Sequence, residues 1–373
     1  MDFNLSKEQE LLRDGLGKFL NTRYDLEKSR TAAKLGAGWQ PDVWRGFADE
    51  LGILGATLPE SVGGMGGGAV ELMVIAEELG RALVIEPFVG TVVVAGGLLQ
   101  RAGGAVAEAA LERIAAGTAV VALADTDAGE PARAVRDGDA WVLNGAKVVV
   151  PDAPLATHLL ITAATEGAAP QRIALFLTEF DPAAPPAGVT VHGYRTIDDR
   201  RAADLVLRDL RLPAAALLTD DAAASLEQAR DEGAAAVCAE AVGAMRKVLA
   251  DTVEYCKQRQ QFGQPIGGFQ VLQHRMVDMY MEVEQAVAAV YLAILNLGAE
   301  PDVRARAVSA AKATVGRAAR FVGQNAVQLH GGMGMTEELA IGHYFKRLTA
   351  MQYEFGSTDY HLARYAGITR PMR

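Results

Sequence analysis

Leu5, Leu11, Leu12, Leu16, Phe19 and Leu20 recur near a 3.6-residue period, which predicts an amphipathic helix at the start of the chain. Ser6 stands where an N-cap would, and Gln9 three residues later completes a capping box. Residues 59–68 (PESVGGMGGG) read as a loop between helices, and a second helical run follows over 70–83. That Gly-rich stretch has neither a GxGxxG pattern nor a Lys-Ser/Thr ending, so it is not a phosphate cradle. From about residue 118 the texture changes. Short apolar runs at 120–124, 140–143, 147–150, 158–162, 172–177, 189–192 and 204–207 alternate with Gly, Pro and Asp clusters and read as strands. Asn144-Gly145 between two of them predicts a hairpin. Strands spaced this way predict a small antiparallel barrel or sandwich. Long helical patterns return at 222–257, 269–297 and 303–329, punctuated by GQPIGG at 263–268 and GGMG at 331–334. The expected architecture is α+β and multidomain: an all-α domain over 1–117, a β domain over 118–217 and an α-helical bundle over 218–373.

Composition narrows the class. The chain has 373 residues, 50% hydrophobic and 22% charged, within the soluble globular range and far from disorder. Against 46 Asp+Glu stand 36 Lys+Arg, a net charge of −10, so no bulk positive field attracts nucleic acid. Cys238 and Cys256 form no CxxC or Cys/His cluster, which argues against a disulfide framework and a metal site. The N-terminus lacks a basic region followed by an apolar one, and the apolar run at 91–99 is too short and Gly-broken to span a bilayer. The expected location is the cytoplasm.

Four motifs, in order along the chain, resemble the acyl-CoA dehydrogenases, a flavoprotein family. Residues 255–274 (YCKQRQQFGQPIGGFQVLQH) resemble the family's R-x-x-F-G…F-Q segment. Residues 328–335 (QLHGGMGM) resemble Q-x-x-G-G-x-G, 137–150 (DGDAWVLNGAKVVV) the strand that backs the flavin, and 59–68 the P-E-x-x-G-G-x-G turn. Residues 239–245, 342–348 and 356–364 are similar to the bacterial small-subunit type, such as the small subunit of pimeloyl-CoA dehydrogenase.

The resemblance implies a helical N-terminal domain, a middle β domain and a C-terminal four-helix bundle. It also implies FAD as cofactor, an acyl-CoA substrate, and oxidation at Cα–Cβ to a trans-2-enoyl-CoA with electron-transferring flavoprotein as acceptor. Assembly would be a homodimer, a homotetramer or a heterotetramer with a second acyl-CoA dehydrogenase chain. Arg259, Gln261 and Phe262 match positions that hold FAD pyrophosphate, and an arginine fork suits that group. Gln270 matches a position near the adenine or ribose. Gln328, Gly331 and Gly332 match a turn against the adenosine-pyrophosphate, where glycines allow close backbone approach. His330 within that turn reads as a packed imidazole, and Ser357 and Thr358 resemble the Gly-Thr near the flavin. The family's T-E-x-x-A-G-S-D loop reads ADTDAGEP at 124–131, and Pro151 has no N–H to donate to a flavin.

Such an oxidation needs a carboxylate base for the α proton. The family places it at one of two positions, which here hold Gly233 and Phe355 or Gly356. Glu232 is the first candidate, Asp231 the second and Glu354 the third. Acidic residues in the first turns of a helix are also favoured by the helix dipole without any catalysis. Glu240, two turns beyond Gly233, reads as an interhelical hydrogen-bonding group. Two functions follow: a dehydrogenase using Glu232, or a base-lacking subunit that completes the FAD site of a catalytic partner chain.

Overall fold

The computed structural model describes residues 4–165 and 172–370. In chain order the helices are α1 (Lys7–Arg23), α2 (Leu26–Leu35), α3 (Pro41–Asp49), α4 (Ala69–Arg81), α5 (Gly96–Ala102) and α6 (Gly104–Ala115). Then come β1 (Val121–Ala124), β2 (Arg133–Asp137), β3 (Ala140–Pro151), β4 (His158–Thr165), β5 (Ile173–Glu179), β6 (Val189–Arg195), β7 (Arg201–Pro213) and β8 (Leu217–Thr219). The C-terminal elements are α7 (Ala223–Gln258), β9 (Gln260–Gln261), β10 (Gln264–Pro265), α8 (Gln270–Leu295), α9 (Pro301–His330), α10 (Ala340–Met351) and α11 (Thr358–Thr369). The capping box forms as the sequence predicts: Gln9 N–H donates to Ser6 Oγ at 3.2 Å, and Ser6 N–H to Gln9 Oε1 at 2.9 Å.

The chain divides into two compact units. One comprises residues 1–26, 68–84 and 234–373, the other 27–67 and 85–233. The second holds an eight-stranded sheet of order β6-β7-β3-β2-β4-β5-β8, with β1 paired to β4. Most pairs are antiparallel, but β1 and β2 both run parallel to β4, which the alternation pattern did not signal.

Asn144-Gly145 is not a hairpin. β3 runs straight through it, paired to β2 and β7, and the dipeptide forms a bulge with a register shift between Leu143 and Gly145. Asn144 exchanges two hydrogen bonds with Asp209, at 3.1 and 2.8 Å. A Cβ on Gly145 would lie 2.7 Å from Ala132 Cα, so close backbone approach is what requires glycine there. The hairpin is one strand earlier, where Asp137 and Ala140 pair around Gly138, whose φ is +61°. A second irregularity in β3 leaves the exposed Val149 at φ +50°, its N–H held by Asp204 Oδ1 at 2.9 Å.

In the other unit, α4 and the later part of α7 pack backbone to backbone. A Cβ on Gly80 would sit 1.9 Å from Glu240 O, and one on Gly243 would sit 1.8 Å from Glu77 O. Any side chain at either glycine would force the helices apart. Tyr344 of α10 donates its hydroxyl to Arg81 O, and this close packing sets Glu240 deep in the helices, 3% exposed.

Candidate functional site

The motif at 255–274 folds as the end of α7, a tight β9–β10 hairpin and the start of α8. Both turn residues, Phe262 (φ +54°) and Gly263 (φ +81°), are left-handed, the signature of a type I′ turn. A phenylalanine in that conformation is strained, and its ring is 91% exposed. Arg259 is exposed, and its guanidinium makes no hydrogen bond or ion pair among the described residues. Gln261 is exposed and donates to Gln260 O; Gln270 is exposed at the first turn of α8.

At the end of α9, Gln328 is exposed, and Gly331 adopts φ +59° and ψ −141°, a conformation open essentially to glycine alone. An added Cβ on Gly331 or Gly332 would meet nothing within 4 Å. The two motifs are locked together. Tyr255 stacks on His330 with ring centroids 4.2 Å apart, and its hydroxyl donates to His330 O at 3.4 Å. His330 Nδ1 donates to Ala326 O at 2.8 Å, so this imidazole is packed and bonded inside the helix end.

The turn between α10 and α11 is wired from all sides. Lys312 of α9, 2% exposed, donates to Met351 O, Gln352 O and Gly356 O at 2.8, 3.3 and 3.0 Å. All three ammonium protons are used, and the charge caps the C-terminal end of the α10 dipole. Burial pulls the Lys312 ammonium below the usual lysine range. His361 Nε2 donates to Phe355 O at 3.0 Å, and its Nδ1 accepts from Ser309 Oγ at 3.2 Å. Phe355 (φ +56°) and Gly356 (φ +110°) are both left-handed. Ser357 uses its hydroxyl as the N-cap of α11, accepting from Tyr360 N–H, and Thr358 Oγ1 lies 2.7 Å from where a Cβ on Gly316 would be.

The three candidate bases all have partners. Glu354 is gripped by both terminal nitrogens of Arg347. The same guanidinium, 3% exposed, also binds Glu240 through Nε at 3.0 Å and a terminal nitrogen at 3.1 Å. One cation thus spans two carboxylates, and Glu240 is the helix-joining group that the sequence predicts. In the other unit, Arg101 of α5 reaches both oxygens of Glu232, at 2.9 and 3.1 Å, and Gln228 adds a bond at 3.0 Å. Gly97 makes room, since a Cβ there would sit 2.7 Å from Glu232 Oε2. Asp231 is 1% exposed and also has a partner.

The loop at 124–131, which departs from the family signature, is anchored twice. Arg230 binds Asp125 at 2.8 and 3.0 Å, and the buried Lys147 binds Asp127 at 2.6 Å and Thr162 at 3.0 Å. Burial lowers the Lys147 affinity for its proton, and Asp127 opposes that.

The donor set at the hairpin and the α9 end fits a dinucleotide: a guanidinium fork with no partner among the described residues, exposed amides and an open glycine backbone. The residues that sequence reasoning missed are the counter-charges, Arg101, Lys312 and Arg347. Arg347 lies inside the 342–348 stretch, yet its partner Glu240 is 107 residues away, and no local pattern signals it. Among the described residues no group of His, Cys, Asp and Glu side chains could hold a metal ion, and no helix is long and apolar enough to cross a membrane.

Comparisons with known proteins agree with this architecture. Residues 6–118 match the family model for the acyl-CoA dehydrogenase N-terminal domain, and residues 218–367 match that for the C-terminal domain. Acyl-CoA dehydrogenase IpdE2 of Mycolicibacterium smegmatis is 31% identical over 92% of this chain and 93% of its own. One chain of the ChsE4-ChsE5 complex from Mycobacterium tuberculosis aligns over 100% of this chain and 100% of its own, with a TM-score of 0.90 and 26% identity. A glutaryl-CoA dehydrogenase from Mycobacterium smegmatis, solved with FADH2, shares the fold with a TM-score of 0.87 over 99% of this chain and 96% of its own, at 24% identity. On this evidence the chain belongs to the acyl-CoA dehydrogenase family of oxidoreductases.

Proposed function

We propose that this chain is the base-lacking, FAD-binding subunit of a heteromeric acyl-CoA dehydrogenase. The assembly converts an acyl-CoA thioester to the trans-2-enoyl-CoA, and electron-transferring flavoprotein takes the electrons. One observation carries this reading: both glutamates weighed as the base are already held by arginines of the same chain, and Asp231 is buried with a partner. Protonating a carboxylate held by a guanidinium neutralises it and gives up the ion-pair attraction, so this pairing works against either glutamate as the base. The positions that the resemblance assigns to the base hold Gly233 and the Phe355-Gly356 pair, which carry no proton acceptor on a side chain.

When bound, FAD supplies acceptance of the β hydrogen as hydride. In this reading Arg259, Gln261 and Phe262 would hold the pyrophosphate, Gln270 would lie near the adenine or ribose, and the turn of Gln328, Gly331 and Gly332 would lie against the adenosine-pyrophosphate. Tyr255 and His330 keep the two motifs in register. Lys312 and His361 fix the turn that leads to Ser357 and Thr358, so these two meet the cofactor from a rigid helix start. The partner chain supplies the carboxylate base. The neighbouring ChsE4-ChsE5 structure is a complex of two differently named chains, which supports a heteromer.

The test replaces the candidate bases in the assembled enzyme. Glu232→Gln and Glu354→Gln keep the size of each side chain and remove its basicity. The expected result is turnover within about threefold of wild type, against a loss of 10²-fold or more for a true general base. A loss of that size in the Glu232 variant, with the protein folded and flavin bound, assigns the base to this chain and overturns the proposal.

A further inference from the structure

In the sheet-bearing unit, Glu86 lies just before the helix that begins at Phe88, and it is 2% exposed. Its Oε1 accepts from the backbone N–H of Gln40 at 3.0 Å, which joins it to the start of α3. Gln40 is the N-cap residue of α3, yet its side chain caps nothing there. Among the described residues, four buried side-chain polar atoms have no hydrogen-bond partner. Two of the four are Gln40 Nε2 and Glu86 Oε2, a donor and an acceptor on residues already in contact. A buried polar atom left unpaired pays the full desolvation of its group, so native proteins satisfy nearly all of them. Arg200, whose charge acts on Glu86, has its Nε 3.9 Å from Asp198 and makes no bond to Glu86 Oε2.

Donor and acceptor together fix what can satisfy them. A cation is repelled by the amide hydrogens of Gln40, and an anion by the lone pairs of Glu86 Oε2. A carbonyl oxygen has no hydrogen for the ionised carboxylate. A hydroxyl oxygen suits every case: it accepts from Gln40, donates to the ionised carboxylate and accepts from the neutral acid. Burial pushes this carboxyl up to about 7, so both of its forms occur near neutral pH. Water is the smallest molecule that carries such an oxygen, and buried waters bridge polar groups of this kind.

We infer that Gln40 Nε2 and Glu86 Oε2 bind one hydroxyl oxygen between them, that of a single internal water or of the hydroxyl of a bound molecule. The oxygen adds a second link between the start of α3 and the residues that lead into the helix at Phe88. The first residues of that helix, Val89–Ala95, are π-helical, a geometry that is rare in proteins and frequent at functional sites. The bridge braces the entry to this segment. It is independent of which chain supplies the base.

The test is a crystal structure of the full-length chain at a resolution that shows ordered water, with Gln40→Met beside wild type. The expected result is one oxygen within hydrogen-bond distance of both atoms in wild type and its loss in the variant. An isolated peak assigns the oxygen to water, and density that continues into a larger molecule assigns it to that molecule's hydroxyl. No density at the site, a direct bond between the two side chains, or an oxygen that stays in place in Gln40→Met overturns the inference. Urea unfolding of Gln40→Met, Glu86→Met and the double variant checks the bridge in solution, because the backbone bond from Gln40 survives the first change. The expected coupling is about fivefold or more in the unfolding constant. Effects that multiply independently to within about twofold overturn it.

Discussion

Three arginines divide the molecule into two kinds of site. Arg347 is saturated, spanning Glu240 and Glu354, and Arg101 is paired to Glu232 while its buried Nε makes no hydrogen bond among the described residues. Arg259 is the opposite, exposed beside a strained hairpin with no partner among the described residues. The first two neutralise buried or half-buried carboxylates and hold helices together. The third presents a fixed charge to something outside. Under the proposed function, the unpaired arginine is the one left for a ligand and the paired carboxylates are the ones withheld from the reaction.

The most damaging way to probe the saturated side is Arg347→Met. It leaves Glu240 buried without a counter-charge, and the expected loss is about 3–5 kcal/mol by urea unfolding. A loss below about 1 kcal/mol would mean that the Arg347 network does not hold the helices.

Glu86 sharpens the comparison, because it is a buried carboxyl with no such clamp. Its Oε1 accepts from Gln40 N–H at 3.0 Å, its Oε2 has no partner, and burial pushes it up to about 7. The folded state therefore binds more protons than the unfolded state between about pH 4.5 and about pH 7. The stability contributed is fully present below pH 4.5 and is lost as pH rises through 7. At about 1.4 kcal/mol per unit this amounts to about 3 kcal/mol. Glu86→Gln flattens that slope in unfolding measured at pH 5 and pH 8.

Arg259→Ala addresses the unsaturated side. Stability changes by less than about 0.5 kcal/mol, as for a surface residue. Flavin retention falls about 10- to 100-fold, the value of lost charge-assisted hydrogen bonds, as read by flavin absorbance in titrations of the apoprotein. Equal effects on stability and retention would erase the distinction between the arginines. The smallest effect is at Gly331→Ala, where the left-handed φ costs a side chain about 1 kcal/mol in thermal unfolding.

Local pattern carried the element order, the Ser6–Gln9 cap and the long helices, because helix periodicity and caps are encoded within a few residues. The Asn144-Gly145 hairpin failed for the same reason. Asn-Gly favours left-handed backbone, and only the distant Asp209 and Ala132 turn that preference into a bulge rather than a reversal. The parallel pairing of β1 and β2 with β4 also depends on partners remote in sequence. At the site, the glycines and Arg259 are local and legible. The commitment of Glu232 and Glu354 is not, since it depends on Arg101, 131 residues away from its acid, and on a bridge from Arg347 to Glu240.

Anaerobic titration of the flavin-loaded lone chain with a panel of acyl-CoAs tests the central claim most directly. The account predicts that flavin absorbance persists with every acyl-CoA until a second, base-bearing acyl-CoA dehydrogenase chain is added. Bleaching of the flavin in the lone chain by any acyl-CoA would contradict it.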